Sequence, residues 1–287
     1  MRHPVDTQVA IGAVTLPTPV IAASGTFGYG LEFAGLVDLA TVGAIAVKGL
    51  SLAPYAGKPP PRLIESPAGM LNAIGLQNIG VEAFLRDRLP ELARLGARVV
   101  ANFWGDSPEE FAECAACLDG APGLVALELN AASPNRPEWG GIIASDPRAL
   151  AEIVRVVRRR VRMPLWVKLS PNVTDVTAVA RAVEAEGADA LCAINTLRGL
   201  AIDVATRRPR LRSVTGGLSG PAIKPVALAM VWALARAVGI PIVGLGGIRS
   251  GEDALEFLCC GARAVQVGTA TFYDPRAPQR EIGRAHV

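Results

Sequence analysis

The chain has 287 residues, 51% of them hydrophobic, which is enough for one large α/β domain with an extensive core. Its formal charge of +3 at pH 7 is small for this length and its aromatic content is 5%, so no nucleic-acid surface is indicated. The only two histidines, His3 and His286, lie at the chain ends. This placement argues against a Ser/His/Asp triad, an HExxH zinc site and a histidine base.

The cysteines do not suggest a disulfide framework, because five is an odd number in a chain of this size. Cys114 and Cys117 have the spacing of a metal motif. They lie in an Ala-rich helical segment without a second pair, so we predict small core residues there and no metal site.

The ends and apolar stretches of the sequence predict a soluble, cytoplasmic protein. Residues 1–9 carry charged side chains and lack the apolar run of a signal peptide. The most apolar stretch, residues 226–245, is interrupted by Arg236 and Pro241, which is unsuited to a membrane span.

Eight short apolar runs alternate with amphipathic segments, a pattern typical of β/α units around a parallel sheet. The predicted strands are residues 20–23, 44–48, 99–103, 125–130, 165–169, 191–195, 241–245 and 265–268. The predicted helices are residues 81–95, 108–118, 147–161, 175–186, 221–238 and 251–260. Eight alternating units favour a closed (β/α)8 TIM barrel over an open sheet, with residues 1–287 as a single domain.

Three segments depart from this regular alternation. Residues 51–78 and 131–145 are excursions that leave the carboxyl ends of predicted strands, where barrels bind their ligands. After the last strand, the sequence following Asp274 and Pro275 shows no closing helix, and residues 281–287 resemble translated sequencing adapter. We therefore predict a barrel truncated at its C-terminal helix, with an artificial tail.

Polar residues end the predicted strands in a pattern that a packed core does not require. They are Ser24, Lys48, Asn102, Asn130, Lys168, Asn195 and Thr196. Asparagine amides both donate and accept hydrogen bonds, so they match a planar ring that carries carbonyl and N–H groups. The sequence therefore predicts a site for a cyclic amide at this end of the barrel.

Two of the four lysines, Lys48 and Lys168, end barrel strands. A compact ammonium beside a flavin ring would stabilise the anionic reduced form, although a lysine extending to solvent would give the same pattern.

Glycines after the last two strands, in Gly244 to Gly247 and at Gly268, leave backbone N–H groups accessible to a phosphate. A helix beginning at Ser250 or Gly251 would complete the usual phosphate site of a barrel, although tight turns and phosphosugar barrels share these glycines.

Five motifs carry a resemblance to a known family. They are MLNAIGLQN (70–78), ELNAASPN (128–135), VKLSPN (167–172), INT (194–196) and GGLSGPAIKP (216–225). Over about residues 9–275 the chain resembles class 1 dihydroorotate dehydrogenases. It is most similar to the NAD-linked 1B subgroup, in which the catalytic subunit pairs with a subunit that carries FAD and an iron-sulfur cluster.

The resemblance implies positions for a cofactor and a substrate. FMN would contact Ser24, Lys48, Gly49, Asn102, Asn130, Lys168, Ile194, Gly220, Gly246, Gly247, Gly268 and Thr269. Dihydroorotate would contact Lys48, Asn72, Ala73, Ile74, Gly75, Leu76, Asn130, Asn195 and Thr196.

The resemblance also implies a reaction. Dihydroorotate is oxidised to orotate in pyrimidine biosynthesis: Ser133 removes the C5 proton, FMN accepts the C6 hydride, and a partner subunit passes electrons to NAD. Class 1 members carry cysteine where this chain has Ser133, which could otherwise be a turn residue. The implied assembly is a homodimer core within a heterotetramer.

Other interpretations remain open from the sequence. The chain could be a flavin barrel acting on another dihydropyrimidine, one that uses fumarate as acceptor, or an FMN-binding protein without activity. A phosphosugar isomerase-like barrel without flavin would explain the glycine loops alone.

Overall fold

A computed structural model describes residues 6–134 and 142–284. The chain begins with a short hairpin, β1 (Val9–Ile11) and β2 (Val14–Leu16). Ile11, Val14 and Leu16 pack with inward-facing barrel residues such as Trp166 in one buried cluster. The hairpin therefore closes the end of the barrel opposite to the strand carboxyl ends.

The predicted (β/α)8 barrel is confirmed. Eight parallel strands form a closed sheet. In their order around the barrel they are β3 (Val20–Ala22), β4 (Ala44–Ala46), β7 (Val99–Phe103), β8 (Leu124–Leu129), β9 (Leu165–Lys168), β10 (Ala190–Ala193), β15 (Ile242–Leu245) and β16 (Ala264–Val267). β16 pairs with β3, in the register Val265 to Val20, to complete the circle. Nearly every residue of these strands is buried, because helices cover the outer face of the barrel and side chains fill its interior.

The helices lie around the barrel and largely follow the prediction. They are α1 (Val81–Asp87), α2 (Leu89–Arg94), α3 (Pro108–Leu118), α4 (Pro147–Arg158), α5 (Val176–Ala185), α6 (Lys224–Ala237), α7 (Gly251–Cys259) and α8 (Ala277–Arg284). The single helix predicted over residues 81–95 is divided at Arg88, because Pro90 has no N–H for the helical hydrogen bond.

The prediction that no helix follows the last strand is wrong. Helix α8 begins at Ala277, which is buried, and the Asp274 carboxylate accepts a hydrogen bond from the backbone N–H of Arg276. This Asp-Pro start resembles the one at Asp146, which accepts hydrogen bonds from two backbone N–H groups at the start of α4. The predicted artificial tail, residues 281–287, lies partly outside the described residues and stays a prediction.

The first predicted excursion contributes to a small antiparallel sheet at the carboxyl ends of the barrel strands. Its strands run in the order β5-β6-β14-β11 and are β5 (Leu63–Ser66), β6 (Gly69–Asn72), β14 (Thr215–Ser219) and β11 (Leu197–Leu200). We call it the roof sheet. A further hairpin, β12 (Ile202–Asp203) with β13 (Arg208–Pro209), extends from it. The second excursion, 131–145, includes residues 135–141, which lie outside the described residues.

Candidate active site

A cavity of about 430 Å³ opens at the carboxyl ends of the barrel strands, beneath the roof sheet. Its lining includes these predicted residues: Ser24, Lys48, Gly49, Asn72, Ile74, Gly75, Leu76, Asn130, Ser133, Lys168, Ile194, Asn195, Thr196, Gly220, Gly246, Gly247, Gly268 and Thr269. Two predicted residues lie behind this lining: Asn102 is fully buried among polar side chains, and Ala73 is buried in an apolar cluster with Leu71 and Leu211. The geometry thus brings the predicted site residues together.

The roof sheet joins two distant parts of the chain above this cavity. Asn72 on β6 pairs with Gly217 on β14, and its side-chain Nδ2 donates to the Gly217 carbonyl over 3.3 Å. Gly217 permits this packing because a Cβ at that position would lie 2.1 Å from the hydroxyl of Thr196. The roof therefore depends on a close approach that only glycine allows.

On one side of the cavity, three asparagine amides form a continuous hydrogen-bonded chain. Asn195 Nδ2 donates to Asn130 Oδ1 over 3.4 Å, and Asn130 Nδ2 donates to Asn102 Oδ1 over 3.3 Å. At the outer end, the Thr196 backbone N–H donates to Asn195 Oδ1 over 2.7 Å. We call Asn102, Asn130, Asn195, Lys168 and Glu128 the amide side.

Glu128 lies at the inner end of this chain, fully buried inside the barrel. Its carboxylate accepts hydrogen bonds from Asn102 Nδ2 at 2.5 Å and from Gln266 Nε2 at 2.6 Å, and it lies 3.5 Å from Lys168 Nζ. Burial alone would raise the pKa of this carboxyl, but the Lys168 ammonium and the hydrogen bonds around it lower the pKa. Glu128 is therefore ionised at neutral pH.

Two cations, Lys48 and Arg62, line the cavity; Arg62 directly precedes the roof-sheet strand β5, and its charge acts on Lys48. Burial lowers the pKa of Lys48, and the nearby Arg62 guanidinium lowers it further. Arg62 is held by the Lys58 carbonyl and by the Gln77 side chain, at 3.0 and 2.6 Å. Two cations at one wall favour a ligand that carries an anionic group there.

The opposite wall is built from backbone, and we call Gly220, Gly246, Gly247 and Gly268 the glycine side. Gly247 has φ +86°, and a Cβ there would lie 2.8 Å from Lys224 Cβ and 2.9 Å from the Gly220 carbonyl oxygen. Helix α7 begins beside it, with the Ser250 hydroxyl accepting from the Asp253 backbone N–H, as the sequence predicted. The backbone N–H groups of these glycines carry no flanking side chains and lie near the start of a helix. Such groups are suited to a phosphate.

Ser133 is buried and lines the cavity after the end of β8. The backbone N–H of the preceding residue, Ala132, donates to Asn130 Oδ1 over 3.4 Å. The loop that carries the serine is thus tied to the amide side.

The cavity residues fit a flavin. Gln266 lines the floor and is 1% exposed, and its Oε1 has no hydrogen-bond partner among the described residues. An orphaned buried acceptor requires a donor, and a flavin ring offers an N–H group between two carbonyls. Lys168 supplies a cation beside this floor, and the glycine side offers donors for a phosphate.

Several residues of the site were missed by the sequence prediction. Glu128 and Gln266 lie within strand runs otherwise composed of apolar residues, and a charged or amide group in a buried run indicates an inward-facing polar position. That signal was present in the sequence. Arg62 and Phe272 also line the cavity, but Arg62 lies in an irregular segment and Phe272 in a single 3-10 turn, Thr269–Phe272, so no periodicity marks them.

Two further observations concern the described part of the chain. Among its helices, none combines the length and the apolar character needed to cross a lipid bilayer. Within residues 6–134 and 142–284, histidine, cysteine and carboxylate side chains nowhere gather in threes as a bound metal ion would require.

A closed eight-stranded parallel barrel, with its polar groups gathered at the strand carboxyl ends, defines this protein as a (β/α)8-barrel enzyme. A family model described as Dihydroorotate dehydrogenase matches residues 7–284. The chain belongs to the dihydroorotate dehydrogenase family, and it is an oxidoreductase.

Relatives agree with this assignment over almost their whole length. The proteins named dihydroorotate dehydrogenase B (NAD(+)), catalytic subunit, of Citrifermentans bemidjiense and Geobacter sulfurreducens are each 54% identical over 280 residues. The matches span 98% of this chain and 92% of each relative. The protein of the same name from Trichlorobacter lovleyi is 55% identical over 272 residues, which span 95% of this chain and 90% of that relative. The predicted resemblance is thereby confirmed.

Proposed function

We propose that this chain binds FMN and oxidises (S)-dihydroorotate to orotate in the synthesis of UMP. The observation that carries the proposal is the amide side, where a hydrogen-bonded chain of asparagines lies beside a buried lysine at the floor of the cavity. Such a wall offers fixed donors and acceptors to flat rings that carry carbonyl and N–H groups.

The two cations near the roof sheet support dihydroorotate over other dihydropyrimidines. Dihydroorotate bears a carboxylate, which dihydrouracil and dihydrothymine lack. Lys48 and Arg62 line the same cavity, and their mutual repulsion is relieved when an anion binds between them. A neutral ring would leave this repulsion in place, so the preferred substrate carries a negative charge.

The proposed cofactor spans both sides of the cavity. Its ring fits the floor at Lys168 and the orphaned acceptor of Gln266, in front of the buried Asn102, and its phosphate fits the glycine side. When bound, FMN supplies the two-electron acceptor for the C6 hydride. The Lys168 ammonium would stabilise negative charge on the reduced ring, while Glu128 holds that ammonium in place.

Ser133 is the proposed base that removes the C5 proton of the substrate. A serine hydroxyl is a weak base, so its own proton must move to a neighbouring acceptor or to water. No histidine is present among the described residues to assist it, since both lie outside them. We therefore expect turnover to rise with pH.

The proposed electron path leaves this chain. The relatives are named as NAD(+)-linked catalytic subunits, which supports a separate subunit that carries electrons to NAD. The resemblance of the motifs supports FAD and an iron-sulfur cluster in that subunit, and a homodimer of this chain at the centre of a cytoplasmic heterotetramer.

An anaerobic visible spectrum before and after addition of dihydroorotate tests the function. Bleaching of the flavin band would support the cofactor and the substrate together. A yellow protein that dihydroorotate does not bleach would indicate another dihydropyrimidine or an inactive protein, and a colourless protein would refute the flavin. Rapid reduction of NAD by the isolated chain would show that no separate electron-transfer subunit is needed. Reduction of fumarate would instead indicate that fumarate is the electron acceptor.

Two variants test the role of Ser133. We expect Ser133→Ala to slow bleaching by a factor of about 10² to 10⁴, the usual contribution of a general base, while orotate still perturbs the flavin spectrum. Ser133→Cys should restore reduction, with a less alkaline pH profile, because a thiol ionises more readily than a hydroxyl. Equal rates in wild type and Ser133→Ala would exclude Ser133 as the base.

A further inference from the structure

The Glu128 carboxylate lies inside the barrel, beneath the hydrogen-bonded asparagines. The proposed reaction uses Glu128 only to hold Lys168, yet this carboxylate is fully buried and also engaged by side chains from β7 and β16. Burying a charge costs free energy unless its partners compensate, so its position calls for an explanation beyond packing.

The hydrogen bonds of Glu128 explain why a carboxylate lies at this buried position. An ionised carboxylate can only accept hydrogen bonds, so any amide that bonds to it must turn its nitrogen toward it. The Asn102 Nδ2 group lies 2.5 Å from one carboxylate oxygen, and the Gln266 Nε2 group lies 2.6 Å from the other. The carboxylate therefore fixes which way both amides point.

The orientation of Asn102 then passes outward along the chain. With its nitrogen toward Glu128, its oxygen faces Asn130 and accepts from the Asn130 nitrogen. The Asn130 oxygen accepts from Asn195 and from the Ala132 backbone N–H, and the Asn195 oxygen accepts from the Thr196 backbone N–H. Glu128 thus orients Asn102, and Asn102 in turn presents the acceptor for Asn130, whose oxygen is held by the backbone.

The second branch ends at the cavity floor. Because Gln266 donates to Glu128, its oxygen is directed away from the carboxylate, and this oxygen is the orphaned acceptor described above. One buried charge therefore orients the first amide of each branch, Asn102 and Gln266.

We propose that Glu128 is a positioning residue that sets the polarity of Asn102 and Gln266 and so prepares the wall and floor of the cavity for a planar ring. Without it, the amide of Asn102 can adopt two opposite polarities, because an amide presents similar shapes either way. In the reversed polarity its nitrogen faces the Asn130 nitrogen, so Asn130 loses its acceptor. The inference rests on the proposed function for its second readout, which uses orotate as the probe and the bound flavin as the reporter.

The substitution Glu128→Gln tests this role, because glutamine keeps the shape but can either donate or accept. Its matched control is Asp189→Asn at the opposite end of the barrel, where Asp189 bonds to the Arg158 guanidinium at 2.8 Å and to the Leu165 backbone N–H at 2.7 Å. The control also removes a barrel carboxylate, but one that does not touch the amide chain.

The first readout needs no ligand. The chain has seven asparagines, so selective ¹⁵N labelling of asparagine gives few enough side-chain amide signals to assign by single substitutions. We expect the Asn102 and Asn130 signals to shift or double in Glu128→Gln and to stay unchanged in Asp189→Asn. Thermal unfolding of both variants would show that a general loss of stability does not explain the difference.

The second readout is the affinity for orotate, measured from the perturbation of the flavin spectrum. We expect Glu128→Gln to weaken orotate binding at least tenfold and Asp189→Asn to stay within twofold of wild type. An unchanged Asn130 signal, or an orotate affinity of Glu128→Gln within twofold of wild type, would overturn the proposal.

Two contingencies keep the test decisive. If wild type fails to bind orotate, the proposed function fails, and the amide signals alone decide the role of Glu128. If Glu128→Gln does not fold, the double substitution Glu128→Gln/Lys168→Met removes both buried charges together, a change that barrel interiors tolerate better than a single unpaired charge. Its amide signals then decide the question in the same way.

Discussion

The amide side and the glycine side of the cavity achieve their shape by different physical means. On the amide side, asparagine side chains are oriented by hydrogen bonds that lead back to a buried ion pair, Glu128 with Lys168. On the glycine side, the backbone itself forms the wall, and the space that a side chain would occupy at Gly247 is filled by its neighbours. The first wall is sensitive to charge, whereas the second is sensitive to volume.

The largest expected effect comes from breaking the ion pair of the amide side. Lys168→Met leaves the Glu128 carboxylate fully buried without its ammonium, so we expect the free energy of unfolding to fall by about 3 to 5 kcal/mol in urea denaturation. Lys224→Met is the control, because its bonds to Asp253 and Glu256 lie nearer to solvent, and we expect a loss of about 1 kcal/mol. Equal losses of unfolding free energy in the two variants would contradict the difference expected between a buried ion pair and one near solvent.

The same pair gives a pH dependence with a defined sign. Burial alone would raise the pKa of the Glu128 carboxyl, but the Lys168 charge and the hydrogen bonds outweigh burial, so the pKa is lowered in the folded protein. Its contribution to stability is therefore complete above the ordinary carboxyl pKa and lost as the pH falls through the lowered value. The stability difference between wild type and Lys168→Met should narrow in acid.

The second largest loss of stability is expected from a side chain added on the glycine side. Gly247→Ala places a Cβ within 2.9 Å of the Gly220 carbonyl at a φ of +86°, and we expect a loss of about 3 kcal/mol in the free energy of unfolding. Gly35→Ala is the control, since a Cβ there meets no atom within 4 Å, and its effect should stay within about 1 kcal/mol. Similar melting curves for the two variants would refute this account of the wall.

The third prediction concerns the cations near the roof sheet. Burial, followed by the Arg62 charge, lowers the pKa of Lys48, so Lys48 loses its proton at a lower pH than an exposed lysine. Orotate binding should weaken as the pH rises through this pKa, by about tenfold or ~1.4 kcal/mol. Lys48→Arg keeps its charge, so its affinity should not show this alkaline decline; an identical decline in both proteins would assign the titration to another group.

The smallest effect on stability is expected at Gly268. Its φ is −111°, and a Cβ there would meet Ala23 Cβ at 3.5 Å, an ordinary contact. Gly268→Ala should change the free energy of unfolding by no more than about 0.5 kcal/mol. If this glycine approaches the FMN phosphate, the variant should nevertheless lose FMN during dialysis. Retention of FMN equal to wild type would place the phosphate elsewhere.

The barrel could be predicted from the sequence because parallel strands buried on both faces appear as uninterrupted apolar runs. The roof sheet could not be predicted from the sequence. Its strands are short and partly exposed, and β14 contains Gly216 and Gly217, which carry no side chains to produce an alternating pattern. Helix α8 was missed for a similar reason, since its composition is polar even though an Asp-Pro start precedes it.

The candidate site could be predicted as a set of residues but not as a network. Strand-end positions indicated that Asn102, Asn130 and Asn195 would lie at one end of the barrel. The order in which their amides bond depends on strand neighbours far apart in the sequence, such as Gln266 and Glu128, which are separated by 138 residues. No local pattern encodes that proximity, because it arises only when the barrel closes.

The roof sheet has a consequence for how the protein is made. Strand β6 pairs with β14 across 145 residues, so the strand that carries Asn72 can pair only with the adjacent β5 until most of the chain has left the ribosome. Contacts between distant residues form slowly, because the intervening chain must first be ordered. The early β/α units have their apolar strands available long before this, so we expect the cavity to gain its cover late in folding. During synthesis the polar floor faces water, and a ligand would first be enclosed when the chain is nearly complete.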